Sequence, residues 1–242
     1  MDELQLIKQE KWFYEFSLPD GTKTECYLPE FVRKIHDTRE MALRKYLETI
    51  GEGFSSGLDV SCHEGYFSLV LADYFKKVTG IDKNQDSLGK ATRIAKFLGH
   101  ADINFEYSSV ENWPESKGAD FVLCYGLLYH VENPIQVLRK LSALTRKAIG
   151  IETQVLPFQT SGSVEDGNFM RQRELTGMFG LCRDYSHSTE GGLTDFALVP
   201  SRDALVFLLK ELGFMTINFY QPAPDDYEQF VRRSRVIVFA EK

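Results

Sequence analysis

An α/β fold, a mostly parallel sheet covered by helices on both faces, is what this sequence predicts, and three observations carry it. From about residue 57 onward, short apolar β-branched runs alternate with stretches of helical period, the pattern of βαβ units. The 242 residues, 43% hydrophobic and 26% charged, suffice for one large core and are too few for two full ones. The last two strand-like runs lie too close in sequence for a crossover helix, which makes the final strand antiparallel.

In chain order, residues 12–16 and 22–27 flank Leu18-Pro19-Asp20-Gly21, a hairpin signal, and a helix follows from about His36 to Ile50. Leu58 to Val60 is the first strand of the sheet, Tyr66 to Phe75 an apolar helix, and Val78 to Ile81 a second strand ending at Asp82. Leu88, Ala91, Ile94, Ala95 and Leu98 form the buried stripe of an amphipathic helix that Gly99 closes. Ile103 to Tyr107 and Phe121 to Cys124 are the third and fourth strands. Pro134 opens a helix whose buried stripe is Ile135, Val137, Leu138, Leu141 and Leu144, and Ala148 to Ile151 is the fifth strand. From Thr153 to Val199 the period lapses, and so long an excursion reads as a lid or binding insert. Ser201 then caps a helix striped by Ala204, Leu205, Leu208, Leu209 and Leu212 and stopped at Gly213. Met215 to Tyr220 and Val236 to Ala240 are the last two strands. The chain thus divides into an N-terminal hairpin and helix extension at 1–50 and a main domain at 51–242, with the insert at 154–199.

Composition narrows the function. A net charge of −7 disfavours broad attraction to nucleic acid or anionic membrane, although a local basic patch stays open. Arg232, Arg233 and Arg235 form the densest basic spot and read as a charged surface turn. No apolar run reaches the roughly 18 residues of a membrane span, and Met1-Asp2-Glu3 lacks the positive charge of a secretory signal. Cys26, Cys62, Cys124 and Cys182 are scattered, which argues against a structural zinc or disulfide framework and for a reducing cytoplasm.

The sharpest local signal is Leu58-Asp59-Val60-Ser61-Cys62-His63-Glu64-Gly65-Tyr66-Phe67, a strand running through a turn into a helix. There, backbone N–H groups and the helix N-terminus can approach a ligand at the carboxyl end of the sheet. Asp82, at the end of the next strand, is placed to accept both hydroxyls of a ribose. A nicotinamide dehydrogenase is the rival reading, weakened because a pyrophosphate needs glycines that this turn mostly lacks.

This stretch resembles the first motif of the class I S-adenosylmethionine-dependent methyltransferases, with Ser61 and His63 where the first two glycines are expected and Gly65 kept. The resemblance extends over roughly residues 50–240 and implies a Rossmann-like seven-stranded mixed sheet with S-adenosylmethionine as cofactor. It implies that Asp59 lies near the methionine ammonium, that Asp82 holds the ribose, and that Ser108 to Glu111 lie by the adenine, through the Ser109 hydroxyl or the Val110 backbone. Ser61, His63, Gly65, Tyr66, Phe67, Lys83 and Tyr125 complete the expected cofactor set. Arg39, on the face of the N-terminal helix shared with His36, either pairs with the cofactor's carboxylate or belongs to a solvated face. The segment Leu128-Tyr129-His130-Val131-Glu132-Asn133-Pro134 resembles that of the tRNA wobble-uridine carboxymethyltransferase-like group. Leu18 to Thr24, Glu152-Thr153 and Val199-Pro200-Ser201 are similar too.

Methyl transfer from a sulfonium is an in-line displacement in which positioning supplies most of the help. A hydroxyl acceptor must also lose its proton, and His130 and His187 are the candidate bases. The Asn/Asp-Pro-Pro-aromatic tetrapeptide used on amide-like nitrogens is absent after the fourth strand. The expected partner is therefore a small-molecule acceptor such as a metabolite, natural product or sugar. A tRNA-modifying enzyme and a catalytically silent cofactor-binding subunit are the alternatives. The conventional cofactor is expected to suffice, because the sequence displays no set of cationic and aromatic residues for the carboxylated form used by the wobble-uridine enzymes. No metal is expected.

Overall fold

A computed structural model describes residues 2–158, 162–166, 171–184 and 194–242. The N-terminal part comprises α1 (Glu3–Gln9), β1 (Lys11–Trp12), β2 (Glu25–Cys26) and α2 (Glu30–Leu47). Then follow β3 (Ser56–Val60), α3 (Tyr66–Ala72), β4 (Lys77–Asp82), α4 (Gln85–Phe97), β5 (Asn104–Tyr107), β6 (Ala119–Tyr125), α5 (Pro134–Leu144) and β7 (Thr145–Gln154). Beyond them lie β8 (Gly162–Asp166), β9 (Arg171–Leu175), β10 (Phe179–Arg183) and β11 (Phe196–Pro200). The chain closes with α6 (Arg202–Glu211), β12 (Thr216–Phe219), α7 (Glu228–Val231) and β13 (Arg235–Glu241).

Seven strands form one sheet in the order β12-β13-β7-β6-β3-β4-β5, with β7, β6, β3, β4 and β5 parallel to one another. The last strand, β13, runs antiparallel to both β7 and β12, as the sequence predicts. Every residue of β6 is buried, because helices cover both faces of a parallel sheet. Its alternate residues accordingly feed two cores. Phe121, Leu123 and Tyr125 pack with Phe67, Leu71 and Phe239, while Val122 and Cys124 pack with Leu138, Leu141, Ile151 and Leu205. The local signals act as expected except in the α5 stripe, where Ile135 is 38% exposed because it lies off the arc that Val137, Leu138, Leu141 and Leu144 bury. Asn133 caps α5 ahead of Pro134, Ser201 caps α6 through Ala204 N, and Gly99 and Gly213 take positive φ just beyond their helices.

The N-terminal part departs from its expectation. Helix α2 begins at Glu30, earlier than read, and α1 precedes it. The turn at Leu18 to Thr22 forms, yet the expected hairpin shrinks to one antiparallel bridge, Ser17 with Lys23, while β1 and β2 pair parallel. The reason is a competing acceptor. The N–H groups of Phe13 and Tyr14 donate to Glu64 Oε2 at 2.7 and 3.3 Å instead of continuing a ladder. Ile7, Trp12, Tyr14, Phe16 and Leu43 then join the same core as Phe67 and Phe121.

The insert is not structureless. β8 pairs with β9 and β10 with β11, both antiparallel. The second pair is tied to the body by Leu198 N donating to Val131 O at 3.1 Å and Leu156 N to Pro200 O at 2.9 Å. Among the described residues no helix is long and apolar enough to cross a membrane.

Candidate functional site

The carboxyl ends of β3, β4, β5 and β6 open into a cavity of about 1040 Å³, at the point where strand order reverses. Its first wall is the turn between β3 and α3. Ser61 and His63 adopt φ of +60° and +51°, the left-handed region where glycine is at ease, at a cost of roughly 1 kcal/mol or more each. The surroundings hold them there. Cys62 N donates to Ile81 O at 3.0 Å, Gly65 N to Cys62 O at 2.8 Å, and His63 N to Asp82 Oδ2 at 2.9 Å. Gly65, at φ +77°, cannot be replaced so simply, because a Cβ would sit 2.8 Å from the Phe105 ring and 3.0 Å from Ala91 Cβ.

Asp82 lines the cavity with one oxygen accepting His63 N and the other Asn84 N at 2.8 Å, which leaves lone pairs on both for a diol. Lys83, Ser109, Val110, Ser61, His63, Tyr125 and Arg39 line it too. Four expected contacts do not. Asp59 lies behind the wall with its carboxylate bonded to Ser68 Oγ at 2.7 Å, and burial, with Asp82 nearby, pushes its carboxyl up to about 7. Gly65 is the cap of α3, Tyr66 stacks on Tyr14 and bonds Glu40, and Phe67 packs edge-on to Tyr125 at 5.2 Å. These four lie behind or beside the cavity wall and are not among its lining residues.

The floor is a charge network that the sequence did not reveal. Glu152, fully buried at the end of β7, receives Arg39 Nη2 at 2.5 Å and Arg235 Nη1 at 2.6 Å. Burial raises the Glu152 carboxyl, but the Arg235 and Arg39 charges outweigh it and hold it below its usual range. Arg39 is therefore not on a solvated face, and Arg235 is no surface turn, being 5% exposed with its guanidinium 4.6 Å from the Tyr129 ring centre. His36, read as a helix-face residue, is buried between Phe13 and Tyr14. Among the described residues, buried Tyr125 Oη and Arg39 Nε, both on cavity-lining side chains, find no hydrogen-bond partner. The signal for this network was there to be found, since Glu152 ends an apolar strand and Arg235 opens another.

The opposite wall carries His130, whose Nδ1 lies 2.9 Å from Asp184 Oδ2, a residue of the insert that the sequence reading passed over as chemistry. Gln154 and Thr194 complete this side. His187 lies outside the described residues. A carboxylate with open lone pairs at the end of β4, the Ser109 and Val110 wall, and buried polar atoms on Tyr125 and Arg39 together suit a nucleoside cofactor with a charged tail.

Comparison with known proteins agrees. Residues 55–169 match the family model of a methyltransferase domain. A tRNA U34 carboxymethyltransferase of Campylobacter concisus is 32% identical over 85 residues, 34% of this chain and 29% of the relative. One from Pseudoalteromonas atlantica is 26% identical over 175 residues, 71% of this chain and 48% of the relative. A ubiquinone biosynthesis O-methyltransferase of Rickettsia canadensis is 37% identical over 84 residues, 35% of each chain. The alignments thus span less than half the length of these curated relatives. The N-terminal domain of EvdMO1, solved with S-adenosylhomocysteine bound, superposes with a TM-score of 0.74 at 19% identity, covering 100% of this chain and 97% of that one. Over residues 55–169 the chain is thus similar to methyltransferase domains, and it shares its fold with a neighbour solved with S-adenosylhomocysteine bound.

Proposed function

We propose that this protein transfers a methyl group from S-adenosylmethionine to a hydroxyl oxygen of a small molecule, by in-line displacement. One observation carries the choice of acceptor. Beyond Asp82, the exposed charges along the cavity are mostly carboxylates, Asp86, Glu111 and Glu132 against Lys83, which repel a polyphosphate strand and leave a compact neutral or cationic acceptor unhindered. At about 1040 Å³ the cavity lies at the upper end of the range of ligand sites.

In this reading Asp82 takes the ribose hydroxyls, Ser109 and Val110 flank the adenine, and the floor cations face the carboxylate end. When bound, the cofactor supplies an electrophilic methyl group on a sulfonium. His130 accepts the hydroxyl proton as the oxygen bonds to carbon, a general-base contribution of about 10²–10⁴ in rate. Radiolabelled methyl transfer to a panel of catechols, hydroxybenzoates, deoxysugars and bulk tRNA tests both parts. The expected result is product from a small hydroxyl compound, with His130→Gln lowering kcat by about 10²–10⁴ and leaving cofactor affinity in place. Product from tRNA alone, or full activity of the variant, sinks the corresponding half.

One observation favours a second reading, modification of a tRNA wobble uridine. Arg39 and Arg235 share a single carboxylate beside Tyr129, the kind of cationic and aromatic set that the carboxylated cofactor form requires and that the sequence alone did not display. Calorimetric titration with the two cofactor forms separates the readings. A clear preference for the carboxylated form favours the second.

A further inference from the structure

We propose that Asp184, supplied by the insert, is the positioning residue that fixes the tautomer of His130 and stabilises its protonated form during transfer. The proposal rests on the reading of His130 as the base, and it names the group that makes the base competent.

The geometry begins with the backbone. Asp184 follows β10 directly, and its N–H donates to Asp195 O at 2.9 Å, extending the β10 and β11 ladder by one bond beyond the Arg183 and Phe196 pair. Its main chain is therefore held. On the other side, His130 N donates to Leu127 O at 2.9 Å, and the adjacent Val131 O accepts Leu198 N of β11 at 3.1 Å. The insert and the loop that bears His130 thus share one frame, joined by a backbone bond one residue from the imidazole.

Within that frame Nδ1 of His130 and Oδ2 of Asp184 lie 2.9 Å apart, with side chains only 22% and 12% exposed, so bulk water does not wash the interaction out. An ionised carboxylate can only accept, so Nδ1 must carry the hydrogen and the lone pair falls on Nε2. His130 lines the cavity, and the Tyr129 ring, with its centre 4.2 Å away, restrains the imidazole from a neighbouring side. As the acceptor oxygen bonds to the methyl carbon and the sulfur keeps the electron pair of the broken bond, the hydroxyl proton passes to Nε2. The imidazolium so formed sits against the Asp184 charge, which remains ionised throughout.

The test has one arm that needs no acceptor. The full chain, labelled with ¹⁵N-histidine and loaded with S-adenosylhomocysteine, is compared by long-range ¹H–¹⁵N NMR with Asp184→Asn and with His130→Gln, the last identifying the His130 signals among the five histidines. The wild type should show His130 protonated at Nδ1 and bare at Nε2. In Asp184→Asn, whose amide can donate to Nδ1, the population should move toward the Nε2–H form. With the acceptor found by the panel above, the same variant should lower kcat by at least about 10-fold at nearly constant KM, and Asp184→Glu should recover part of the loss. Melting curves of the isosteric Asn variant show whether it is folded. An Nε2–H tautomer in the wild type, or His130 signals unmoved by Asp184→Asn, overturns the proposal. Retained methyl transfer by His130→Gln alongside the expected tautomer overturns the base reading and leaves the orienting contact standing.

Discussion

The turn after β3 and the floor beneath the cavity face the same ligand space and are built in opposite ways. The turn is local: Ser61, His63 and Gly65 lie within five residues, and the strain of two left-handed side chains is met by neighbouring backbone bonds and Asp82. The floor is assembled from afar, Arg39 reaching Glu152 across 113 residues and Arg235 across 83. The turn spends conformational energy to approach a ligand, whereas the floor sets buried charges that are tolerable only while all three are present. The contrast implies that damage to the floor appears first as lost stability, and damage to the turn first as lost affinity.

The harshest trial of that contrast is Glu152→Gln, which leaves two buried guanidinium groups sharing no charge. Denaturant unfolding should register a loss of about 3–5 kcal/mol. Because the Glu152 carboxyl is held below its ordinary value of 4.5, its contribution is present above that pH and is lost as pH falls through the lowered value. The variant should lack this acid limb. A cost under about 1 kcal/mol would mean that the floor is not the stability element claimed here.

Asp59 works with the opposite sign. Its carboxyl, raised by burial from 3.8 to about 7, keeps a proton in the folded protein that the unfolded chain has already lost, so stability falls as pH rises across that window. Asp59→Asn should remove this slope and gain on the wild type by a few kcal/mol at most between its two ends, since a tenfold difference in proton affinity is worth about 1.4 kcal/mol. Parallel pH-dependences of the two proteins would refute it.

The mildest change in energy falls on binding. Asp82→Ala should weaken S-adenosylmethionine by 10-fold or more, roughly 1.5–3 kcal/mol for a lost charge-assisted acceptor, with a smaller effect on unfolding than Glu152→Gln. Calorimetric titration decides it. Unchanged affinity would remove Asp82 from the site and erase the contrast with the floor.

The same contrast explains what the sequence made legible. The strands of the sheet were readable because they are short, mostly apolar runs set off by helical stripes or, for the last two, by their closeness in sequence, and the turn with Asp82 was readable because its residues follow one another along the chain. Spacing also placed Arg39 with His36 on one helix face, yet nothing local said that the face is buried, since its partner Glu152 comes from a distant strand. Arg235 looked like surface because Arg232 and Arg233 stand beside it. Asp184 escaped because the segment around it has no period, and its contact with His130 exists only where the insert meets that loop. Local chemistry leaves a local trace; a pair made by topology leaves at most a charge in an apolar run.

One carboxylate links these regions in time as well as space. Glu64, 2% exposed, holds the N–H of Phe13 from 51 residues away and takes Lys90 Nζ at 3.0 Å. Phe13 and Tyr14 leave the ribosome well before Glu64 exists, and Lys90 follows later still. During synthesis the N-terminal segment must wait, unpaired, for the strand and turn that will receive it. Residues translated earlier are thus fixed later, so a nascent chain arrested between Tyr14 and Lys90 should expose its aromatic N-terminal segment to proteolysis that the released protein resists.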